Sequence, residues 1–248
     1  QTDAAIERDA LAEIVDTAAK LCASLEPELR AGWAQAARLE QGEVVHPPHI
    51  ARSYKALAEV GLVSFGVDEQ YGGFGLPVLV TNTILQMISR ADAGLMTLIG
   101  LQAGVADDIQ MYASEELKQR YLPGFAKGEL MGAMDLTEPQ AGSDLGGITT
   151  RATEDGGKVF IDGHKIFITN GGSQVHLVLA RDGESFEASR GTTRGLSLYL
   201  CPRTLPDGRV NGVRVVRLED KLGIHGSPTA AMQFERAEAF LIGTKGEG

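Results

Sequence analysis

The spacing of apolar residues changes once along this chain, near residue 129, and that change limits the possible fold more than any other feature. Before it, apolar side chains recur every three or four residues, as on one face of a helix. After it, they alternate with polar side chains, as on half-buried strands. We therefore predict an α+β protein: an all-α helical domain over residues 1–129, followed by an antiparallel β-barrel or sandwich domain over residues 130–243.

Five amphipathic helices are predicted in the first part. The apolar stripe of the first helix stops near Pro27, and Pro123 is expected to close or bend the last helix. The Ser114 hydroxyl precedes two glutamates and is therefore predicted to cap the fifth helix. The predicted segments are residues 6–25, Pro48–Val60, Pro77–Arg90, Ala93–Tyr112 and a helix that opens at Ser114.

Short strands and turns are predicted after residue 129. Asp162-Gly163 is a typical tight-turn pair, so residues 159–169 are interpreted as a hairpin or a bent pair of strands. Repeated short strands with frequent turns are typical of an antiparallel sandwich or barrel. The other predicted strands are Val175–Ala180, Gly195–Leu200, Gly212–Val216 and Thr229–Phe234.

Composition excludes several classes of protein. The 33 acidic and 23 basic side chains give a net charge of −10 without a basic patch, which argues against nucleic acid as a partner. Cys22 and Cys201 lack the spacing of a zinc site or a disulfide framework, so no metal is expected. The acidic start of the chain resembles neither a signal nor a transit peptide, and no apolar run could span a membrane. We therefore expect a cytoplasmic protein.

One loop segment, Met134–Asp144, has the composition of a ligand site. Pro139 fixes its turn, Gly142 allows close approach of a ligand to the backbone, and Thr137 and Ser143 supply hydroxyls. Unpaired N–H groups in such a loop can bind an anion. An ordinary turn with no ligand is the alternative interpretation.

A second segment, residues 165–172, places an aromatic ring and a hydroxyl on one side of a strand. Phe167 and Thr169 are two positions apart and so share a face. A flat ring beside a hydroxyl suits a flat heteroaromatic cofactor with a polar edge. Core packing would explain Phe167 equally well.

Three motifs together, in this order and spacing, resemble the FAD-dependent acyl-CoA dehydrogenases. They are Leu-Thr-Glu-Pro-Gln-Ala-Gly-Ser-Asp at 136–144, Gly-His-Lys-Ile-Phe-Ile-Thr-Asn-Gly at 163–171, and Asp-Lys-Leu-Gly-Ile-His-Gly-Ser-Pro-Thr at 220–229. The last motif and the Gly42–Pro48 segment look most like the long bacterial branch that includes 3-methylmercaptopropionyl-CoA dehydrogenase. The resemblance covers nearly the whole chain.

The resemblance implies a flavoenzyme that dehydrogenates an acyl-CoA thioester to 2-enoyl-CoA, with hydride transfer to N5 of FAD. It implies a homo-oligomer in fatty acid metabolism, with an electron-transferring flavoprotein or similar acceptor. Family members carry their catalytic glutamate in a C-terminal helical domain, which we expect this chain to lack, with residues 244–248 starting the link to it. No catalytic residue is therefore expected here; Glu138 belongs to the cofactor loop.

The resemblance also assigns residues to the cofactor. Gly142 and Ser143 would face the FAD pyrophosphate, and Ser143 the acyl-CoA as well. Phe167 would cover the isoalloxazine, where the family more often has tryptophan, and Thr169 would bond flavin N5. The complete set of expected cofactor residues is Met134, Leu136, Thr137, Gly142, Ser143, Phe167, Ile168 and Thr169.

Two alternatives remain open from the sequence. The same scaffold serves other flavin chemistry, such as an oxidase or a monooxygenase. A non-catalytic subunit, completed by a separate chain that holds the remaining helices, would also match these motifs.

Overall fold

The computed structural model describes residues 8–248, and its first part is helical. Five helices occur here, at α1 (Arg8–Gly32), α2 (Pro48–Glu59), α3 (Val78–Ala91), α4 (Ala93–Tyr112) and α5 (Glu115–Ala126). The second to fifth helices begin within one residue of their predicted starts, so these four predictions are confirmed. Residues 6 and 7 of the first predicted segment lie outside the described residues.

α1 extends further than predicted, and α5 does not end at Pro123. Pro27 lies inside α1, which continues to Gly32, and Pro123 lies inside α5, which continues to Ala126. A helical proline removes one N–H donor, but burial of residues beyond it favours continuation. Leu29 and Phe125, just past the two prolines, are fully buried in the apolar core.

A small hairpin joins α1 to α2. Its strands are β1 (Arg38–Glu40) and β2 (Glu43–Val45). Val44 packs against the core of the second part of the chain, and Arg203 binds Glu43 through two nitrogens at 2.7 and 2.8 Å. The hairpin, which the sequence analysis did not predict, therefore links the two parts.

The second part is a closed barrel. Its strands are β3 (Gly132–Asp135), β4 (Arg151–Asp155), β5 (Lys158–Thr169), β6 (Val175–Asp182), β7 (Leu196–Pro202), β8 (Val213–Leu218) and β9 (Thr229–Ile242), with a one-turn helix α6 (Phe186–Ser189) before β7. Pairing runs β6-β4-β5-β9-β7 and returns to β6, while β3 extends beside β6 and β8 beside β9. Most pairs are antiparallel as predicted, but β3 and β4 both run parallel to β6.

The predicted hairpin within residues 159–169 was wrong. β5 runs unbroken through Asp162-Gly163, and the turn before it falls instead at Gly156-Gly157, where both φ angles are positive. Pairing with β9 continues on both sides of the pair, with a register shift between Ile161 and Gly163. A Cβ at position 163 would lie 2.4 Å from the Thr150 hydroxyl. Gly163 is therefore needed for close packing of strands rather than for a turn.

The two faces of β6 join the two parts of the chain. Val175 and Leu177 pack with Val105 and Phe125 of the helices. Val178 and Ala180 point into the barrel interior. The last helix of the first part ends at Ala126, and the first barrel strand begins at Gly132. Within residues 8–248, no helix combines the length and the apolar character needed to cross a bilayer.

Arg181 ties together the loops at one end of the barrel. Its side chain is fully buried, and its guanidinium donates to no carboxylate of residues 8–248. It donates instead to the Ser189 hydroxyl and to carbonyl oxygens of Gly146, Ile148, Ser189, Thr192 and Arg194, at 2.8 to 3.1 Å. One side chain therefore holds the end of the Met134–Asp144 loop against the loop before β7.

Replacing Arg181 by methionine is expected to lower the free energy of unfolding by about 3 kcal/mol or more, because several buried carbonyls would lose their donors. Urea unfolding measures the change. Arg214→Met is the control, since Arg214 forms an exposed ion pair with Glu235 and such pairs contribute about 0–1 kcal/mol. Equal losses in both variants would contradict this view of Arg181.

Candidate functional site

The two segments singled out from the sequence lie side by side. The backbone N–H of Ile166 in β5 donates to the carbonyl oxygen of Thr137 over 2.9 Å. The loop that follows β3 therefore runs along the edge of β5, and Thr137 lies close to Phe167. The two segments therefore form one surface, as the binding of a single cofactor by both would require.

A β-bulge gives β5 its functional face. Lys165 pairs with Met232, while Ile168 pairs with Ala230, so three steps on β5 match two on β9. Phe167, with φ of 59°, lies in the bulge. Plain alternation would place Lys165 on the same face as Phe167. The extra residue instead allows Lys165 to point inward while Phe167 points outward.

The exposures of these side chains confirm that division. Phe167 is 61% exposed, whereas Ile168 is 2% and Lys165 is 0% exposed. Thr169 is partly exposed and has the outward orientation of Phe167. An aromatic ring in solvent beside a hydroxyl is not explained by core packing, so the core interpretation of Phe167 was wrong.

The loop beside this ring offers unpaired donors. Within the described chain, the backbone N–H groups of Thr137, Gly142 and Ser143 donate to no other backbone group. Gly142 and Ser143 are exposed. A Cβ at Gly142 would meet only the Thr137 methyl group, at an ordinary contact distance of 3.7 Å, so the space beside the loop is open at this point. A flat ligand with a polar edge and an anionic arm fits this surface.

Glu138 anchors the loop from inside the protein. Its side chain is 2% exposed and lies 2.9 Å from the Lys165 ammonium. It also accepts from Thr149, through both the backbone N–H and the hydroxyl, and from Thr150 N–H, at 2.8 to 2.9 Å. Lys165 in turn donates to the carbonyl oxygen of Leu136 over 2.8 Å. One buried ion pair thus fixes both the loop and β5.

The environment of Glu138 lowers its pKa from the ordinary value of 4.5 to about 2. Burial by itself would raise the pKa, but the Lys165 charge and the hydrogen bonds from Thr150 and Thr149 outweigh it. Burial lowers the pKa of Lys165, and the Glu138 charge opposes that change. A carboxylate with these partners is poorly suited to act as a general base, in line with the expectation for Glu138.

The other expected cofactor residues are not equally exposed. Met134 is partly buried against the helical core, and Leu136 packs on the small cluster beneath the loop. The Ile168 side chain is inside the barrel. These three could meet a ligand mainly through their backbone. The structure therefore brings the exposed groups together at Thr137, Gly142, Ser143, Phe167 and Thr169.

The sequence analysis missed the residues that support this surface. Lys165, Arg181, Asp135 and His176 are fully buried ionisable groups in or around the barrel. Plain alternation along β5 would place Lys165 outward, so no pattern in the sequence indicated that it is buried. Among residues 8–248 no group of three or more histidine, cysteine or acidic side chains could hold a metal ion.

Two family models match the chain. The acyl-CoA dehydrogenase N-terminal domain matches residues 10–129, and the acyl-CoA dehydrogenase middle domain matches residues 133–237. The chain belongs to the acyl-CoA dehydrogenase family. The resemblance found in the sequence motifs is therefore confirmed.

Individual relatives agree with the family. 3-Methylmercaptopropionyl-CoA dehydrogenase of Ruegeria pomeroyi is 34% identical over 260 residues, which cover 100% of this chain and 44% of that protein. The acyl-CoA dehydrogenase of Bacillus anthracis complexed with FAD is 29% identical, with a TM-score of 0.79, and covers 100% of this chain and 39% of that one.

A third similar structure is described as an electron transferring flavoprotein of Acidaminococcus fermentans. It is 30% identical, has a TM-score of 0.81, and covers 100% of this chain and 61% of that one. The chain thus spans less than two thirds of the length of each of these relatives.

Acid should weaken the contribution of Glu138 to stability. A carboxylate with a lowered pKa in the folded state stabilises the fold above its ordinary pKa of 4.5, and that contribution, about 3 kcal/mol, is lost as pH falls towards 2. We expect the stability difference between the native protein and Glu138→Gln to be largest at pH 5–7 and to shrink below about pH 4.5.

Chemical unfolding of both proteins at several pH values measures this difference, and the contributions of the other carboxylates cancel in it. A difference that stays constant from pH 7 to pH 3 would contradict the assignment.

Proposed function

We propose that this chain forms one wall of an FAD site in an enzyme that oxidises acyl-CoA thioesters to 2-enoyl-CoA. The observation that carries the proposal is the outward Phe167 ring beside Thr169 and the unpaired N–H groups of the Thr137–Ser143 loop. Membership of the acyl-CoA dehydrogenase family and the FAD complex of the Bacillus anthracis relative support it.

The residues of this surface would divide the binding of FAD between them. The Phe167 ring would pack on the isoalloxazine, and the Thr169 and Thr137 hydroxyls would bond its polar edge. When bound, FAD would accept the β-hydrogen of the thioester as a hydride at N5. Packing and hydroxyl contacts from this chain would orient the ring for that transfer.

The glycine-containing part of the loop would hold the anionic arm of the cofactor. Unpaired N–H groups at Gly142 and Ser143 are suited to phosphate oxygens. The Ser143 hydroxyl lies at the exposed end of the loop, where it would also contact the acyl-CoA. The backbones of Met134, Leu136 and Ile168 would complete the contacts.

The base that removes the α-proton would come from outside this surface. Glu138 is enclosed by its donors, and the Asp144 carboxylate accepts from Gly146 N–H. The family resemblance implies that a glutamate of a C-terminal helical domain takes the proton, so we expect residues 1–248 alone to be inactive.

Three further features belong to the same proposal. An electron-transferring flavoprotein is the proposed acceptor, in line with the similarity to the Acidaminococcus fermentans structure. A homo-oligomer working in fatty acid metabolism is proposed from the family resemblance. Cys22 and Cys201 are both buried and unpaired, which is compatible with a cytoplasmic, reducing environment.

The protein, expressed from its complete reading frame, should be yellow and contain FAD. Anaerobic addition of an acyl-CoA should bleach the flavin absorbance, and product analysis should find the 2-enoyl-CoA. Absence of bleaching with short, medium, long and branched thioesters would contradict the proposed reaction. Release of an oxygenated product would indicate other flavin chemistry on this scaffold.

Removing the Thr169 hydroxyl should weaken FAD binding. Thr169→Val keeps the shape of the side chain, and the loss of one hydrogen bond to a buried partner should cost about 1–3 kcal/mol, or roughly a tenfold higher Kd or more. Titration of the apoprotein with FAD measures the Kd.

Thr153→Val is the matched control, because Thr153 is an exposed threonine on β4, outside the surface described above. We expect the control to bind FAD as the native protein does. Equal FAD affinity in the Thr169 and Thr153 variants would argue against the role of Thr169.

A further inference from the structure

A buried polar pair lies inside the barrel, directly behind the proposed flavin surface. Asp135 ends β3, and His176 is the second residue of β6; both side chains are 0% exposed. The Asp135 Oδ1 and His176 Nδ1 atoms are 2.9 Å apart. Most of the interior around them is apolar, so the pair requires an explanation.

The hydrogen bonding of His176 shows that the pair works as one unit. Nδ1 faces the Asp135 carboxyl group, and Nε2 lies 3.2 Å from the carbonyl oxygen of Ser173. The Ser173 carbonyl oxygen can only accept, so this contact needs a proton on Nε2. The contact between Nδ1 and the Asp135 carboxyl group needs one more proton, on either partner, so ring and carboxyl group together hold two protons. The pair is then neutral overall, which reduces the cost of its burial.

The pair connects three elements that surround the flavin surface. Asp135 lies next to Leu136 in sequence, and Leu136 O accepts from Lys165. His176 reaches the turn before β6 through Ser173, whose backbone N–H and hydroxyl both donate to the carbonyl oxygen of Asn170. The turn follows Thr169 directly. The pair thus joins the Asp135–Thr137 stretch to the end of β5.

The ring of His176 is itself held in place. It meets the Phe234 ring edge to face, with centroids 6.2 Å apart and an interplanar angle of 82°. The second carboxyl oxygen of Asp135 has no partner among the described residues. Asp135 therefore depends on the histidine alone for its hydrogen bonding there.

We propose that Asp135 and His176 are positioning residues for FAD: they fix the angle at which the peptide groups from Asp135 to Thr137 face the flavin. The inference rests on the proposed function. Neither side chain touches the outer surface, so both act through the backbone that they hold.

The test compares FAD binding in three variants with that of the native protein. Asp135→Ala and His176→Phe each break the pair, and His176→Phe keeps an aromatic ring against Phe234. Asp135→Ala leaves the His176 ring without its carboxyl partner, and His176→Phe leaves both the Asp135 carboxyl group and the Ser173 carbonyl oxygen without theirs, so both lower stability. The double variant removes the buried pair itself and should regain part of the lost unfolding midpoint, because only the Ser173 carbonyl oxygen then lacks its partner.

FAD affinity separates a positioning role from a structural one. We expect the two single variants and the double variant alike to bind FAD about tenfold or more weakly and to show a shifted flavin absorption band. Asp135→Asn can still bond the ring and should stay within about threefold of native affinity. Asp182→Asn is the control: Asp182 is a buried barrel carboxylate that accepts from Ser197 and Tyr199, and its loss should leave the spectrum of the flavin unchanged.

Two results would overturn the inference and have different meanings. If the double variant regains native FAD affinity and spectrum along with its stability, the pair has only a packing role, and the proposed function stands. If the native protein binds no FAD, both the inference and the proposed function fail.

Discussion

The ion pair between Glu138 and Lys165 is the constraint on which the site depends. A lysine in an apolar barrel is costly unless its charge is met, and here it is met by a carboxylate from the loop that follows β3. The contact with Glu138 holds the lysine inward, and the bulge in β5 places Phe167 and Thr169 on the outside. The same lysine holds Leu136 through its carbonyl oxygen. Loop and strand are thus fixed relative to each other before any ligand binds.

Two other buried polar groups act in the same way. Arg181 binds the carbonyl groups of two loops, and Asp135 pairs with His176. Buried polar groups of this kind need not make the fold more stable, because well-packed apolar side chains in their place often stabilise a protein equally. What they share is that each holds a loop or a strand end in one arrangement. A cofactor site requires such a rigid surface, because a ring that can shift is no longer held in the orientation that the reaction needs.

Local signals explain how much of the fold could be predicted from the sequence. α2 begins at Pro48 and α4 at Ala93, as the apolar periodicity predicted. The cap of α4 by Asp92, whose side chain accepts from Leu95 N–H, is seen only in the structure. The turn at Asp162-Gly163 was wrongly predicted because the pairing of β5 with β9, distant in sequence, overrides a local turn preference. Motifs in the sequence pointed to Thr137 and Phe167, which the structure places on one surface. Lys165 and His176, which lie buried behind that surface, were not predicted, because only the folded barrel shows which partners meet a buried polar group.

The most direct measurement is a crystal structure of the protein with FAD bound. The account predicts that the isoalloxazine packs against Phe167 with its polar edge at Thr137 and Thr169. It also predicts that the Glu138–Lys165 contact and the bond from Ile166 N–H to the Thr137 carbonyl remain intact. A flavin bound at another surface, or a loop that moves away from β5 with the ion pair broken when the flavin binds, would contradict it.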